Sequence, residues 1–177
     1  MEKNFLENSI EFEIKEPLIK QNLFVVSAES CTGGLLSHLI TNVPGSSAYY
    51  VGGVSTYAYE AKRGLLKVKP ETLEKYGAVS GETVVEMAKG VRSLFAGEIP
   101  IEKIVGISIS GIAGPGGGMP GKPVGLVWFG LSTPAGTWAW KKFWDGDRIK
   151  NKELSAEFGL YLIKQFLNND LPKEDYS

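Results

Sequence analysis

Short apolar runs that alternate with stretches of helical periodicity limit this chain more than any other feature. Residues 23–26 (LFVV) are apolar throughout, the pattern of a strand covered on both faces. Residues 104–112 (IVGISISGI) and 124–132 (VGLVWFGLS) also read as strands. Residues 49–59 (YYVGGVSTYAY) predict another strand, with a bulge or close backbone approach at Gly52-Gly53. Residues 136–144 alternate aromatics with Lys141 and Lys142, as in a more exposed strand. Helical patterns lie between: one from Gly33-Gly34 to Pro44, a short one over 60–66, and one or two turns over 70–76. Ser80 reads as the N-cap of a helix over 82–95, with Val84, Met87, Ala88 and Val91 as its buried stripe. A last helix covers about 147–167. Leu6, Ile10, Ile14 and Leu18 recur every four residues and predict a helix in an N-terminal arm over 1–17, although Ile10, Phe12 and Ile14 also fit a strand and Pro17 is awkward in a helix.

Only Thr133-Pro134-Ala135 joins the last two strands, so they must be antiparallel neighbours. The expectation is an α/β fold: a layered sandwich with a mixed β-sheet flanked by helices. A chain of 177 residues makes one such domain. Nineteen basic against twenty acidic side chains leave a net charge of −1, which gives no overall field for gripping nucleic acid or an anionic membrane. Any bound anion must therefore be held locally. No apolar run is long enough to span a bilayer. The first sixteen residues lack the basic and apolar regions of a secretion signal, so a cytoplasmic protein is expected.

From Gly111 to Gly125, seven of fifteen positions are glycine and three are proline, which demands an unusual backbone path. Gly116, Gly121 and Lys122 imitate a P-loop with Pro123 in place of the hydroxyl residue, and Gly116, Gly118 and Gly121 imitate a dinucleotide fingerprint. Both motifs work by leading into a helix, whereas this loop leads into a strand. Two readings remain: a packed connection, and a backbone cradle for an anionic group, which the loop's position favours.

The turn Ser27-Ala28-Glu29-Ser30-Cys31-Thr32-Gly33-Gly34 follows the first strand, where open α/β sheets bind ligands. A serine there is exposed to attack a substrate, and amides of the next helix are placed to stabilise an oxyanion. The only cysteine, Cys31, and the only histidine, His38, are seven residues apart along a helix, about 10 Å, too far for a thiol-imidazole pair. They read as a packed side chain and an ordinary helix residue, and with one of each there is no zinc ligand set. A serine nucleophile then needs lysine as its base; Lys62, beside Arg63, reads from periodicity alone as a solvated helix lysine.

The blocks AESCTGG (28–34), VPGSS (43–47), GGVSTYAYEAK (52–62), GAVS (77–80), SGIAGPGGG (110–118), KPVGLVW (122–128) and GDR (146–148) together resemble the CinA C-terminal, or PncC, family. The resemblance runs from about Leu18 to Leu167. It implies a stand-alone nicotinamide-nucleotide amidase that converts nicotinamide mononucleotide to nicotinic acid mononucleotide and ammonia without a metal or cofactor, with a small-molecule nucleotide as its partner. It also implies a homodimer or higher homo-oligomer. By the same resemblance Ser30 is the nucleophile, Lys62 the base, and Tyr57 a catalytic neighbour that tunes or orients the lysine. Ser47, Ser110, Gly114, Gly116, Gly117 and Arg148 fall at substrate-binding positions. Ser110 stands where many relatives have threonine, and Lys152 where relatives often have a second arginine, which would exchange a bidentate grip for a point charge. Two alternatives stay open: a non-catalytic pyridine-nucleotide-binding or regulatory relative, and an amidase for another carboxamide. Trp128, Trp138, Trp140 and Trp144 read as core or subunit interface rather than a stacking platform.

Overall fold

The computed structural model describes residues 9–174. Helices α1 (Ile10–Glu13) and α2 (Lys15–Gln21) precede β1 (Phe24–Glu29), α3 (Leu35–Thr41), β2 (Tyr50–Ser55), α4 (Tyr59–Leu66), α5 (Pro70–Tyr76) and α6 (Gly81–Phe95). Then follow β3 (Ile104–Gly111), β4 (Leu126–Thr133), β5 (Gly136–Phe143) and α7 (Arg148–Leu167). The five strands form one sheet in the order β2-β1-β3-β4-β5. Both neighbours of β1 run parallel to it, and β3, β4 and β5 run antiparallel in succession. This is the mixed, helix-flanked sheet that the alternation predicts.

Side chains alternate across the sheet, so each strand feeds two cores. Val25 of β1 and Val105, Ile107 and Ile109 of β3 face α3 and α7, where they join Leu36, Ile40, Leu160 and Ile163. Val26 and Ala28 face the other way, toward Leu66 of α4 and Met87 and Val91 of α6. Helix α6 lies very close to this second face because glycine replaces a side chain where they cross. A Cβ at Gly130 would stand 2.3 Å from the Val84 carbonyl oxygen, and one at Gly106 2.6 Å from that of Ala88. Ser108 fills the remaining space and donates to the Val84 carbonyl at 2.6 Å. The Ser80 hydroxyl caps α6 by accepting from the Thr83 amide.

The first part of the chain differs from expectation in two places, for identifiable reasons. Strand β1 runs on through Ser27 and Glu29, because both polar groups find partners inside the protein: Ser27 beside Ser37 and Tyr50, Glu29 at the start of α3. Pro17 is accommodated in the first turn of α2, where backbone amides have no helical acceptor to lose. The part of the opening helix expected around Leu6 lies outside the described residues. Of the tryptophans, Trp140 is buried and its indole donates to the Pro172 carbonyl. Trp138 and Trp144 pack against the same core, and Lys141 lies over the Trp128 ring. None of the described helices is long and apolar enough to cross a membrane.

The close approach of α6 is testable. Gly130→Ala forces a methyl onto the Val84 carbonyl and is expected to lower unfolding free energy by about 1–3 kcal/mol; urea denaturation reads this, and an unchanged midpoint would contradict the crossing.

Candidate functional site

The site lies where β1 ends. The ladders continue one step past the strand: the Thr56 amide donates to the Glu29 carbonyl at 2.8 Å, and the Ser30 amide donates to the Ile109 carbonyl at 2.9 Å. This sets Ser30 between Thr56 on one side and Ser110 on the other. By strand alternation Ser30 continues the Val26 and Ala28 row toward α4 and α6, while Cys31 joins the core on the α3 side. The chain then reverses through Gly33 and Gly34, at φ +62° and +102°, values that suit glycine and strain other residues.

Glu29 is an unexpected organiser of this turn. Its buried carboxylate accepts from the amides of Gly34, Leu36 and Ser37 at 3.0, 3.1 and 2.9 Å, and from the Ser37 hydroxyl at 2.6 Å. These are orphan donors at the start of α3, where a negative charge is favoured. The expectation that amides of this helix hold an oxyanion is therefore corrected: its first turn is already occupied by an anion from the chain itself. Among the described residues, the amides of Cys31 and Thr32 donate to no backbone carbonyl; both lie against the Cys31 sulfur, whose charged form they would favour.

Lys62 overturns the solvated reading drawn from periodicity. It is fully buried, while its neighbours Glu60 and Arg63 form an exposed ion pair at 3.6 Å on the outer side of α4. Its amine lies 3.0 Å from the Ser30 hydroxyl, 2.6 Å from the Thr56 carbonyl and 3.2 Å from the Tyr57 carbonyl. A neutral amine has two hydrogens and one lone pair. The two carbonyls take the hydrogens, which leaves the lone pair for the hydroxyl proton of Ser30. Burial lowers the pKa of Lys62 from 10.5 to about 8, and the Cys31 thiolate, when formed, would raise it. The Cys31 thiol is itself pushed up to about 12 by burial, so it stays protonated and supplies no such charge at neutral pH. None of the ion pairs among the described residues involves Lys62.

Tyr57 meets the lysine through its backbone. Its carbonyl, not its phenol, holds the lysine; the exposed phenol accepts from Arg148 at 3.0 Å. A second arm of the Arg148 guanidinium donates to the Gly114 carbonyl at 2.7 Å. The first residue of α7 thus ties the glycine-rich loop to the segment before α4. Between Gly114 and Gly118 no amide donates to a backbone carbonyl among the described residues, so those of Gly116 and Gly117 are open to an external acceptor. Lys122 anchors the far arm of the loop on the Tyr76 carbonyl. The Ser110 hydroxyl donates to the Ala78 carbonyl at 2.7 Å.

Ser47 is not brought to this place within one chain. It lies exposed ahead of β2, whose Tyr50 pairs with Val25 at the opposite end of β1. Five residue steps along the strand separate Val25 from Ser30, roughly 16 Å. His38 is exposed on α3 and Cys31 is buried, as read from the sequence. Lys152 lies one helical turn beyond Arg148. None of the described residues forms a cluster suited to a metal ion.

Comparison with known proteins agrees with this architecture. Residues 7–167 match the model of the CinA C-terminal domain. A CinA-like protein of Chloroherpeton thalassium is 46% identical over 164 residues, which cover 90% of this chain and 37% of that protein. The chain thus spans little more than a third of the curated relatives it matches. Among solved structures, a competence-damaged protein (CinA) superfamily protein from Klebsiella pneumoniae superposes with a TM-score of 0.84 at 32% identity, covering 94% of this chain and 99% of the other. A competence/damage inducible protein from Agrobacterium tumefaciens gives 0.78 at 35% identity, with 90% and 95% covered.

The buried amine makes stability depend on pH. Between about 8 and 10.5 Lys62 is neutral in the folded chain and protonated in the unfolded one, so the unfolded state binds the extra proton and stability rises with pH. Relative to Lys62→Met, the wild type should gain stability across this window in urea denaturation; parallel pH profiles would place the amine's pKa at its ordinary value.

Proposed function

Because the chain belongs to the CinA C-terminal domain family, we propose that it hydrolyses the carboxamide of nicotinamide mononucleotide to nicotinic acid mononucleotide and ammonia. The observation that carries this reading is the 3.0 Å contact between the Ser30 hydroxyl and a buried lysine of lowered pKa. Neutral Lys62 takes the Ser30 proton as the oxygen attacks the carboxamide carbon. Backbone amides of the turn that follows Ser30 hold the developing oxyanion, and each such donor is worth about 3 kcal/mol of barrier. The proton then passes from Lys62 to the departing nitrogen, ammonia leaves, and water hydrolyses the acyl-serine by the same base.

The nucleotide phosphate is assigned to Arg148 and the amides of the glycine-rich loop. An arginine with one face committed to the Gly114 carbonyl and the Tyr57 phenol still has unused donors, and Gly116 and Gly117 let their amides approach an anion closely. This local grip suits a chain of net charge −1. The proposal includes a cytoplasmic protein that works as a homo-oligomer, in which a second copy brings Ser47 to a neighbouring Ser30.

Ser30→Ala is expected to abolish ammonia release while calorimetry still detects nucleotide binding; undiminished turnover would remove Ser30 as nucleophile. Binding by the wild type with no ammonia released would instead favour a nucleotide-binding relative. In the wild type, kcat/KM should climb as pH rises through about 8, because the base works in its neutral form. A rate that is flat from pH 6 to pH 10 would exclude Lys62 as the base.

A further inference from the structure

A buried hydroxyl without a partner asks for a polar atom from outside the chain. Among the described residues four buried side-chain polar atoms have no hydrogen bond: Thr32 Oγ1, Tyr49 OH, Thr56 Oγ1 and Asn151 Oδ1. Three of these residues gather at the reactive end of the sheet. Thr32 lies two residues beyond Ser30, Thr56 lies beside it, and the Asn151 side chain donates to the carbonyl of Ala113, just past β3. Tyr49 belongs to the other end, ahead of β2.

Thr56 is the member tied directly to the reacting groups. Its amide extends the β1–β2 ladder at the Glu29 carbonyl, which sets it alongside Ser30. Its carbonyl makes the shortest of the three contacts to Lys62, at 2.6 Å. The hydroxyl's distance from the amine is therefore limited by the geometry of a single residue. The side chain is wholly buried, and valine would fill the same volume without an unpaired polar atom. Packing alone gives no reason for a hydroxyl here.

We propose that the Thr56 hydroxyl holds the water that hydrolyses the acyl-enzyme, an inference that rests on the amide hydrolysis set out above. Once Ser30 is acylated its oxygen carries no proton, and the Lys62 lone pair loses its partner while its two hydrogens stay on the carbonyls of Thr56 and Tyr57. A water accepting from Thr56 Oγ1 and donating to Lys62 Nζ has its remaining lone pair free for the acyl carbon. Its oxygen bonds to that carbon as its proton moves to Nζ. The tetrahedral adduct collapses, the bond from carbon to Ser30 Oγ breaks, and Nζ returns the proton to Oγ. Ester and water give serine and carboxylic acid, and no further reactant is consumed.

Rapid-quench ammonia measurement and intact-mass spectrometry on the full chain, with nicotinamide mononucleotide as the probe, test this. Thr56→Val should release a burst of about one equivalent of ammonia per chain and retain an acyl adduct on Ser30. Its steady rate should fall roughly tenfold or more, the loss expected for one hydrogen bond to the attacking water. Thr56→Ser, which keeps the hydroxyl, should recover most of the rate without the adduct. A Thr56→Val enzyme that keeps the wild-type rate, or that slows with neither burst nor adduct, would overturn the assignment. If that variant does not fold by circular dichroism, Thr56→Ala is read by the same criteria. A wild-type enzyme that releases no ammonia even in the first turnover would overturn the amidase reading and this inference with it.

Discussion

A lysine amine sealed between one hydroxyl and two backbone carbonyls is the interaction on which the site depends. Taking an ammonium out of water without a carboxylate nearby is unfavourable, and the protein answers by lowering the amine's affinity for its proton. A salt-bridged lysine in the same position would hold its proton tightly and could not accept another. The carbonyls of Thr56 and Tyr57 fix the direction of the amine without supplying charge, so that in its neutral form the amine turns a lone pair, rather than a hydrogen, toward the Ser30 hydroxyl 3.0 Å away.

The rest of the fold serves to bring that amine to the end of β1. Parallel pairing of β1 with β2 places the chain leaving β2 beside the chain leaving β1, and α4 starts only a few residues later. Glycines at 106 and 130 let α6 lie close against the sheet, and Gly90 lets the end of α4 meet α6, where a Cβ would stand 2.1 Å from the Leu66 carbonyl oxygen. Lys62 is fixed from the other direction by this crossing. On the opposite face, the Glu29 carboxylate holds the first turn of α3 and so fixes the reversal that carries Ser30, Cys31 and Thr32.

Much of this was legible in the sequence. The period of the apolar residues located all five strands and α3 to α7, and the three-residue joint between β4 and β5 required an antiparallel pair. Val84, Met87, Ala88 and Val91 are all buried along α6, as their spacing predicts. Lys62 was not legible from periodicity, because a lysine beside Glu60 and Arg63 looks like part of a charged helix surface; only resemblance to a family separated it from them. Glu29 left a signal that could have been used: a carboxylate inside a strand covered on both faces needs donors, and the following small-residue turn into a helix supplies them. Ser47 sits near the others in sequence, yet parallel pairing sends it to the opposite end of the sheet. Thr56 left no signal, since an orphan hydroxyl becomes visible only after every neighbour has been placed.

The most direct test is NMR titration of the chain carrying 13C-labelled lysine side chains, with the Lys62 signal assigned by its loss in Lys62→Met. The account predicts that this amine titrates near 8, well below the ordinary lysine value of 10.5. A Lys62 signal that titrates at the ordinary lysine value would leave almost no neutral amine as the pH passes through 8, and Ser30 would have no base.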